Sequence, residues 1–190
     1  MTAMAPREPR GIWRDDRGIA AIEFALITPL VAVVLAATVD FGCILFNKFK
    51  LDESVNAAAD YAMVCNAQVN ASSGATLAGT LATLVATSHG SGWADVSVTV
   101  NDGPVSGYAA GTQSSSGSAS PADSCYCPTG SATSVTWGAA QTCNTSCSGG
   151  GYAGKFVLIS ATRAYSPLFT AGYGVITGRT LTSATLVQVQ

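Results

Sequence analysis

The chain has 190 residues and a formal net charge of −2, with 48% hydrophobic and only 11% charged residues, and a mean hydropathy of +0.33. That mixture suits one domain plus appendages: a single apolar span joined to a small head rich in Gly, Ser, Thr and Ala. Beyond Lys50 the only bases are Lys155, Arg163 and Arg179, against Asp52, Glu53, Asp60, Asp95, Asp102 and Asp123. No basic face exists to hold nucleic acid, which argues against a nucleic-acid partner.

Met1–Arg17 is a polar leader interrupted by Pro6 and Pro9, with nothing to build a core. It stops at Gly18, and an apolar run from Ile19 to Phe46 follows, charge-free over Phe24–Val39. As a helix the run is long enough to cross a bilayer. Arg7, Arg10, Arg14 and Arg17 precede it, while only Lys48 and Lys50 lie just after it. The positive-inside rule then leaves the N-terminus in the cytoplasm and exports the rest; Asp15 and Asp16 contribute little to that rule. Glu23 stands inside the apolar run, where a charged side chain costs on the order of 2.5–3.5 kcal/mol near a bilayer centre and less near its edge. If a peptidase cuts after Gly18, Ile19 gains a free α-amine, and Glu23 can neutralise the amine of a neighbouring subunit. Two blander readings are an ordinary secretory signal peptide cut near Ala36-Ala37 and an uncleaved anchor. Against the first stand a run longer than a usual signal-peptide core and the acid within it.

This arrangement resembles the class III signal of type IV pilins and pseudopilins. Ile22-Glu23-Phe24-Ala25-Leu26-Ile27-Thr28-Pro29-Leu30, followed by Val39-Asp40-Phe41-Gly42, is similar to the TadE-like pseudopilins of the tight-adherence (Flp) pilus system, over about residues 14–65. One departure is Cys43, where that family often carries a basic residue, so no role of that position transfers. The resemblance implies cleavage between Gly18 and Ile19 by a prepilin peptidase and N-methylation. It also implies insertion in the inner membrane as a single pass with a periplasmic C-terminal domain, and partnership with other pilins, pseudopilins and the inner-membrane assembly platform. It implies a structural subunit rather than an enzyme, starting, capping or supporting a pilus. The rival reading is a membrane-anchored periplasmic binding domain, for which the span is only a tether.

From Ile19 to about Gln68 the pattern predicts one long helix, leaving the membrane near Asn47. Leu51, Val55, Ala58, Ala62, Cys65 and Val69 recur at spacings of four and three, an apolar seam expected to pack on the protein's own sheet rather than in an intermolecular coiled coil. The small residues Ala57, Ala58, Ala59 and Ala62 allow another backbone to come close. A second helix is predicted over Ala75–Ser88, with Leu77, Leu81, Leu84 and Val85 on one face. Trp93–Val100 alternates as a half-buried strand ending in the turn Asn101-Asp102-Gly103. Gly111–Ser124 has nothing to bury and is expected to be a mobile loop. Lys155–Tyr165, broken by Pro167, and Leu181–Gln190 are predicted strands. The expected fold is α+β: leader 1–18, membrane-spanning helix 19–46, its continuation 47–70, and a small pilin-like antiparallel sheet domain over 71–190 with a disulfide-stapled loop.

Cys125-x-Cys127 and Cys143-x₃-Cys147 bracket an insert with no core of its own. They suit either a four-thiolate zinc site or two disulfides, and an oxidising compartment with no nearby histidine favours disulfides and no metal. Pairing within Cys125-x-Cys127 is geometrically poor, and the connectivity stays open. Cys43 and Cys65 read as small apolar residues. Gly149–Lys155 superficially matches a phosphate-binding loop, but Phe156 replaces the required hydroxyl residue and a strand follows where a helix should open. His89 lies in a Ser/Gly turn with no nucleophile elbow anywhere, so it reads as a solvated loop residue. The glycosylation-like triplets at Asn70 and Asn144 receive no role, and no cofactor motif is present. Asp40, near the outer end of the span, is either a carboxylate at the lipid boundary or, with Glu23, a subunit-pairing group. Pro29 removes one helix hydrogen bond and is expected to kink or loosen the helix near Ala25, and Thr28 is positioned to satisfy part of what is freed.

Overall fold

The computed structural model describes residues 18–169 and 178–190; the leader expected over Met1–Arg17 lies outside them. Helix α1 runs from Ile19 to Val64 without a break at Pro29, a length of about 69 Å. A 3₁₀ turn at Asn66–Gln68 and helix α2 at Gly74–Thr87 follow. Among the described residues seven strands follow: β1 Asp95–Val100, β2 Val105–Ala109, β3 Thr112–Ser116, β4 Thr129–Ser131, β5 Ser134–Thr136, β6 Phe156–Tyr165 and β7 Arg179–Gln188. The main sheet has the order β3-β2-β1-β6-β7, with every pairing antiparallel, and β4-β5 form a separate hairpin. The α+β architecture expected from the sequence is therefore present.

One face of the sheet meets both helices. Alternation decides which side chains take part: Val96, Val98 and Val100 on β1 pair with Ala161, Ile159 and Val157 on β6, and all six are buried. Above them the seam on α1 delivers Leu51, Val55, Ala58 and Ala62, while α2 delivers Leu77, Leu81 and Val85. Fully burying a Leu, Ile or Val side chain stabilises by roughly 1.5–3 kcal/mol each. The seam thus packs on the protein's own sheet and against α2, with the small Ala58 and Ala62 admitting the second helix.

Two segments depart from the sequence-based expectation. The stretch expected to be a mobile loop at Gly111–Ser124 forms β3 and a 3₁₀ turn at Ser120–Asp123. Strand β3 pairs with β2 through Ala110 and Gly111, both at positive φ (50° and 82°). Every residue of β3 is exposed, so no hydrophobic period marks it; backbone pairing with β2 holds it, helped by the Gln113 amide, which donates to the Gly79 carbonyl of α2 and to the Ser106 hydroxyl, each at 3.2 Å. Gly117 closes this hairpin region, because a Cβ there would strike the carbonyl oxygen of Gly103. The other departure concerns Thr28, whose hydroxyl donates to the Phe24 carbonyl at 2.6 Å rather than to the Ala25 carbonyl freed by Pro29.

Asn70, given no role from sequence, shapes the turn that leads into α2. Its Oδ1 accepts the N–H groups of Ser72 and Ser73, each at 2.9 Å. Asn101 is a second structural hub, fully buried and at φ +53°. Its amide donates to the carbonyls of Pro121, Ala122 and Ser124, and its Oδ1 accepts the Phe156 N–H at 3.2 Å. The β1–β2 turn, the approach to Cys125 and the start of β6 are joined by that one side chain.

Candidate functional site

The most apolar 18-residue window of α1 has a mean hydropathy of 2.4, and none of it is buried. Ile22, Phe24, Leu26, Ile27, Leu30 and Leu35 are all exposed. A soluble protein leaves no such patch uncovered. Packing against the head begins abruptly at Asp40, the first buried residue of the helix.

Gly18 precedes the helix at φ −92°, ψ −13°. A Cβ at this position would meet no atom of the described residues within 4 Å. Neither backbone conformation nor space therefore requires glycine there. Glu23 is exposed, one turn above Ile19, and makes no hydrogen bond or ion pair among the described residues.

Asp40 differs from Glu23. Only 3% of it is exposed. Its Oδ1 accepts the Leu168 N–H at 2.8 Å, its Oδ2 the Phe169 N–H at 3.4 Å, and the Tyr165 hydroxyl lies 3.5 Å from Oδ1. Within its own chain this carboxylate fastens the end of β6 to the helix. Burial, and then the Asp40 carboxylate beside it, raise the Tyr165 phenol above its ordinary pKa. Sequence reasoning flagged Asp40 but not its partners, which carry no motif.

Cys43 and Cys65, expected to be buried small apolar residues, are only half-buried, at the edge of the core. The four remaining cysteines form two interleaved disulfides, Cys125–Cys143 and Cys127–Cys147, with Cα–Cα distances of 5.1 and 5.7 Å. They staple the insert that carries β4 and β5. Beside them a groove of about 420 Å³ runs between Cys127, Cys147, Tyr152, Phe156 and Gln188. Among the described residues no carboxylate, histidine, lysine or arginine lines it, and its one ionisable side chain is the Tyr152 phenol. Gly149–Lys155 is a loop leading into β6. His89 is exposed, its ring 4.5 Å from that of Trp93, over which the Arg163 guanidinium sits at 4.6 Å.

The layout is that of an α+β head carried on one anchor-length apolar helix, with an acid near each end of the bare stretch. Residues 18–60, which hold that stretch and both acids, match the model of the TadE-like protein family. The match spans the bare helix and the first half of the seam, and the sheet lies outside it. No curated protein and no solved structure matches the chain.

Proposed function

We propose that the chain is a pseudopilin, a non-enzymatic structural subunit for biogenesis of a tight-adherence pilus, cut by a prepilin peptidase between Gly18 and Ile19. The observation that carries this reading is Glu23: a carboxylate on a bare apolar helix, without a partner among the described residues, one turn above the α-amine that such a cut creates. The TadE-like match over residues 18–60 supports it. So does Gly18, which the fold itself does not require.

In this reading the bare part of α1 crosses the inner membrane once, with the N-terminus cytoplasmic and the head periplasmic. Glu23 pairs with the Ile19 amine of an adjacent pilin or pseudopilin and sets the axial offset between helices. The assembly platform and neighbouring pilins are its partners, and lipid surrounds the span. The mature N-terminus, read by mass spectrometry of the membrane-extracted protein, tests the proposal. A start at Ile19 is expected. A start near Thr38 would indicate ordinary signal peptidase, an intact Met1 would indicate a tether, and either would overturn the reading.

A further inference from the structure

The end of β6 is held at a particular height on the helix. From Ile19 to Asp40 the helix rises about 32 Å, close to the roughly 30 Å hydrocarbon thickness of a bilayer. With Ile19 at one edge of the hydrocarbon, Asp40 stands at the other. Leu168 and Phe169 bond this carboxylate through their backbone N–H groups, so they stand at the same height. Their own side chains turn outward, Leu168 being 66% and Phe169 46% exposed. Near the level of Asp40 the helix also exposes Phe41 and Leu45. Exposed apolar side chains thus occur at this height both on the helix and at the base of the head.

Charge is arranged to match. Arg179, opposite Tyr165 in the β6–β7 register, is exposed at this end of the sheet. Higher on the helix, Lys50 lies 4.4 Å over the exposed Phe46 ring, an aromatic and a cation at headgroup level. Of the acids on the facing elements, Asp40 is held by backbone donors, Asp52 is paired with Lys48, Asp95 accepts the Ala110 N–H, and Glu53 is exposed one residue past Asp52. An apolar tip with Arg179 beside it and Lys50 above it on the helix suits a phospholipid interface.

We propose that Leu168 and Phe169 enter the outer edge of the same bilayer that α1 crosses, so that the head rests on the membrane at a second point and Asp40 fixes the depth of that contact. The proposal rests on the membrane reading of α1 given above. In its place, an uncharged boundary residue would leave two backbone N–H groups without a partner at the lipid edge, where water is scarce.

The test is photolabelling of the full chain in vesicles of phosphatidylethanolamine and phosphatidylglycerol that contain a phospholipid with a diazirine near the top of its acyl chain. Adducts are mapped by mass spectrometry. Labelling is expected on the 19–39 stretch and on Leu168–Phe169, and none on the distal hairpin Ser131–Ser134. A labelled helix with an unlabelled tip would overturn this inference and leave the membrane reading intact. Loss of both would overturn both. Photo-leucine at position 168 that captures a second copy of the chain instead of lipid would assign the tip to a subunit interface and overturn it too. In Asp40→Ala, with both disulfides still formed, helix labelling should persist while tip labelling is lost. Undiminished tip labelling there would refute the part given to Asp40.

Discussion

Ser183 on β7 donates its hydroxyl hydrogen to Asp52 Oδ1 on α1 at 2.6 Å, and Lys48 one turn below bonds the same oxygen. The helix is thereby tied to the strand that follows the β6–β7 connection. Partial burial alone would push the Asp52 carboxyl up, but the Lys48 ammonium and the Ser183 hydroxyl outweigh it and hold the pKa below the ordinary value. A carboxyl depressed in the folded state stabilises above its unfolded pKa of about 3.9, and loses that contribution as pH falls through the folded value. Because 38% of the side chain is exposed, solvent screening limits the effect to about 1 kcal/mol or less. Asp52→Asn should therefore unfold slightly more easily than wild type at pH 7. The difference should shrink as pH falls below about 4. Chemical denaturation of both proteins in detergent across pH 3–7 checks this, and a gap that widens toward acid would contradict it.

The interleaved pairing Cys125–Cys143 and Cys127–Cys147 encloses loops with separations of 18 and 20 residues. In the chain-entropy account each bond stabilises by about 3 kcal/mol. Peptide mapping without reductant should recover these two links and no Cys125–Cys127 link. The paired change Cys125→Ser with Cys143→Ser should lower stability by about that amount while Cys127–Cys147 still forms. One zinc per chain, lost on chelation together with the fold, would replace the disulfides by a thiolate site.

Asn101 bonds three carbonyls and one N–H while fully buried at positive φ. Asn101→Ala should therefore cost about 2–3 kcal/mol, through unpartnered buried groups and a left-handed backbone that Asn tolerates better than Ala. Asn101→Asp should be no better. Its second oxygen would face the carbonyls of Pro121, Ala122 and Ser124 where the amide had donated. Thermal unfolding of the three proteins side by side measures this, and a tolerated Asp variant would show that the amide bonds matter little.

The elements legible in the sequence are those whose burial has a period. The α1 seam, the Leu77–Leu81–Val85 face of α2 and the alternating valines of β1 all bury one face, and each appears close to its predicted bounds. Strands β3, β4 and β5 bury almost nothing and are mostly Gly, Ser and Thr, with Gln113 and Val135 the exceptions, so no hydrophobic period announces them. The site divides along the same line. Glu23 and Asp40 announced themselves as acids in an apolar run. The partners of Asp40 are backbone N–H groups at sequence separations of 128 and 129, and a backbone donor has no side-chain signature. The disulfide connectivity was hidden for a related reason, since spacing constrains which pairs are strained but not which distant pairs meet.

Gly18→Val separates processing from folding. Gly18 has an ordinary negative φ, and a Cβ there meets nothing among the described residues. The head should thus fold and form its disulfides in the variant. The branched side chain would obstruct the extended backbone that a protease must hold at its scissile bond. Immunoblotting should show the full-length form accumulating with no mature form. Normal amounts of mature protein would remove the basis for cleavage after Gly18.

Glu23 should act after cleavage rather than in it. The helix exposes Glu23 among Ile22, Phe24, Leu26 and Ile27, so within a packed array of spans its carboxylate faces other helices. In the proposed assembly an adjacent subunit displaced along the axis would bring its Ile19 amine to that carboxylate, and the pairing would relieve two charges otherwise each desolvated alone. Glu23→Gln preserves size and helix propensity while removing the charge. The variant should therefore insert and be cut after Gly18 as wild type is, yet crosslink poorly to partner pseudopilins and lower piliation. If Glu23 only rested among lipid headgroups, Gln would be tolerated or would insert better. Mature N-terminus, crosslinking yield and pilus count measured in one strain distinguish the two cases. Full piliation with unchanged crosslinking in Glu23→Gln would exclude the pairing role.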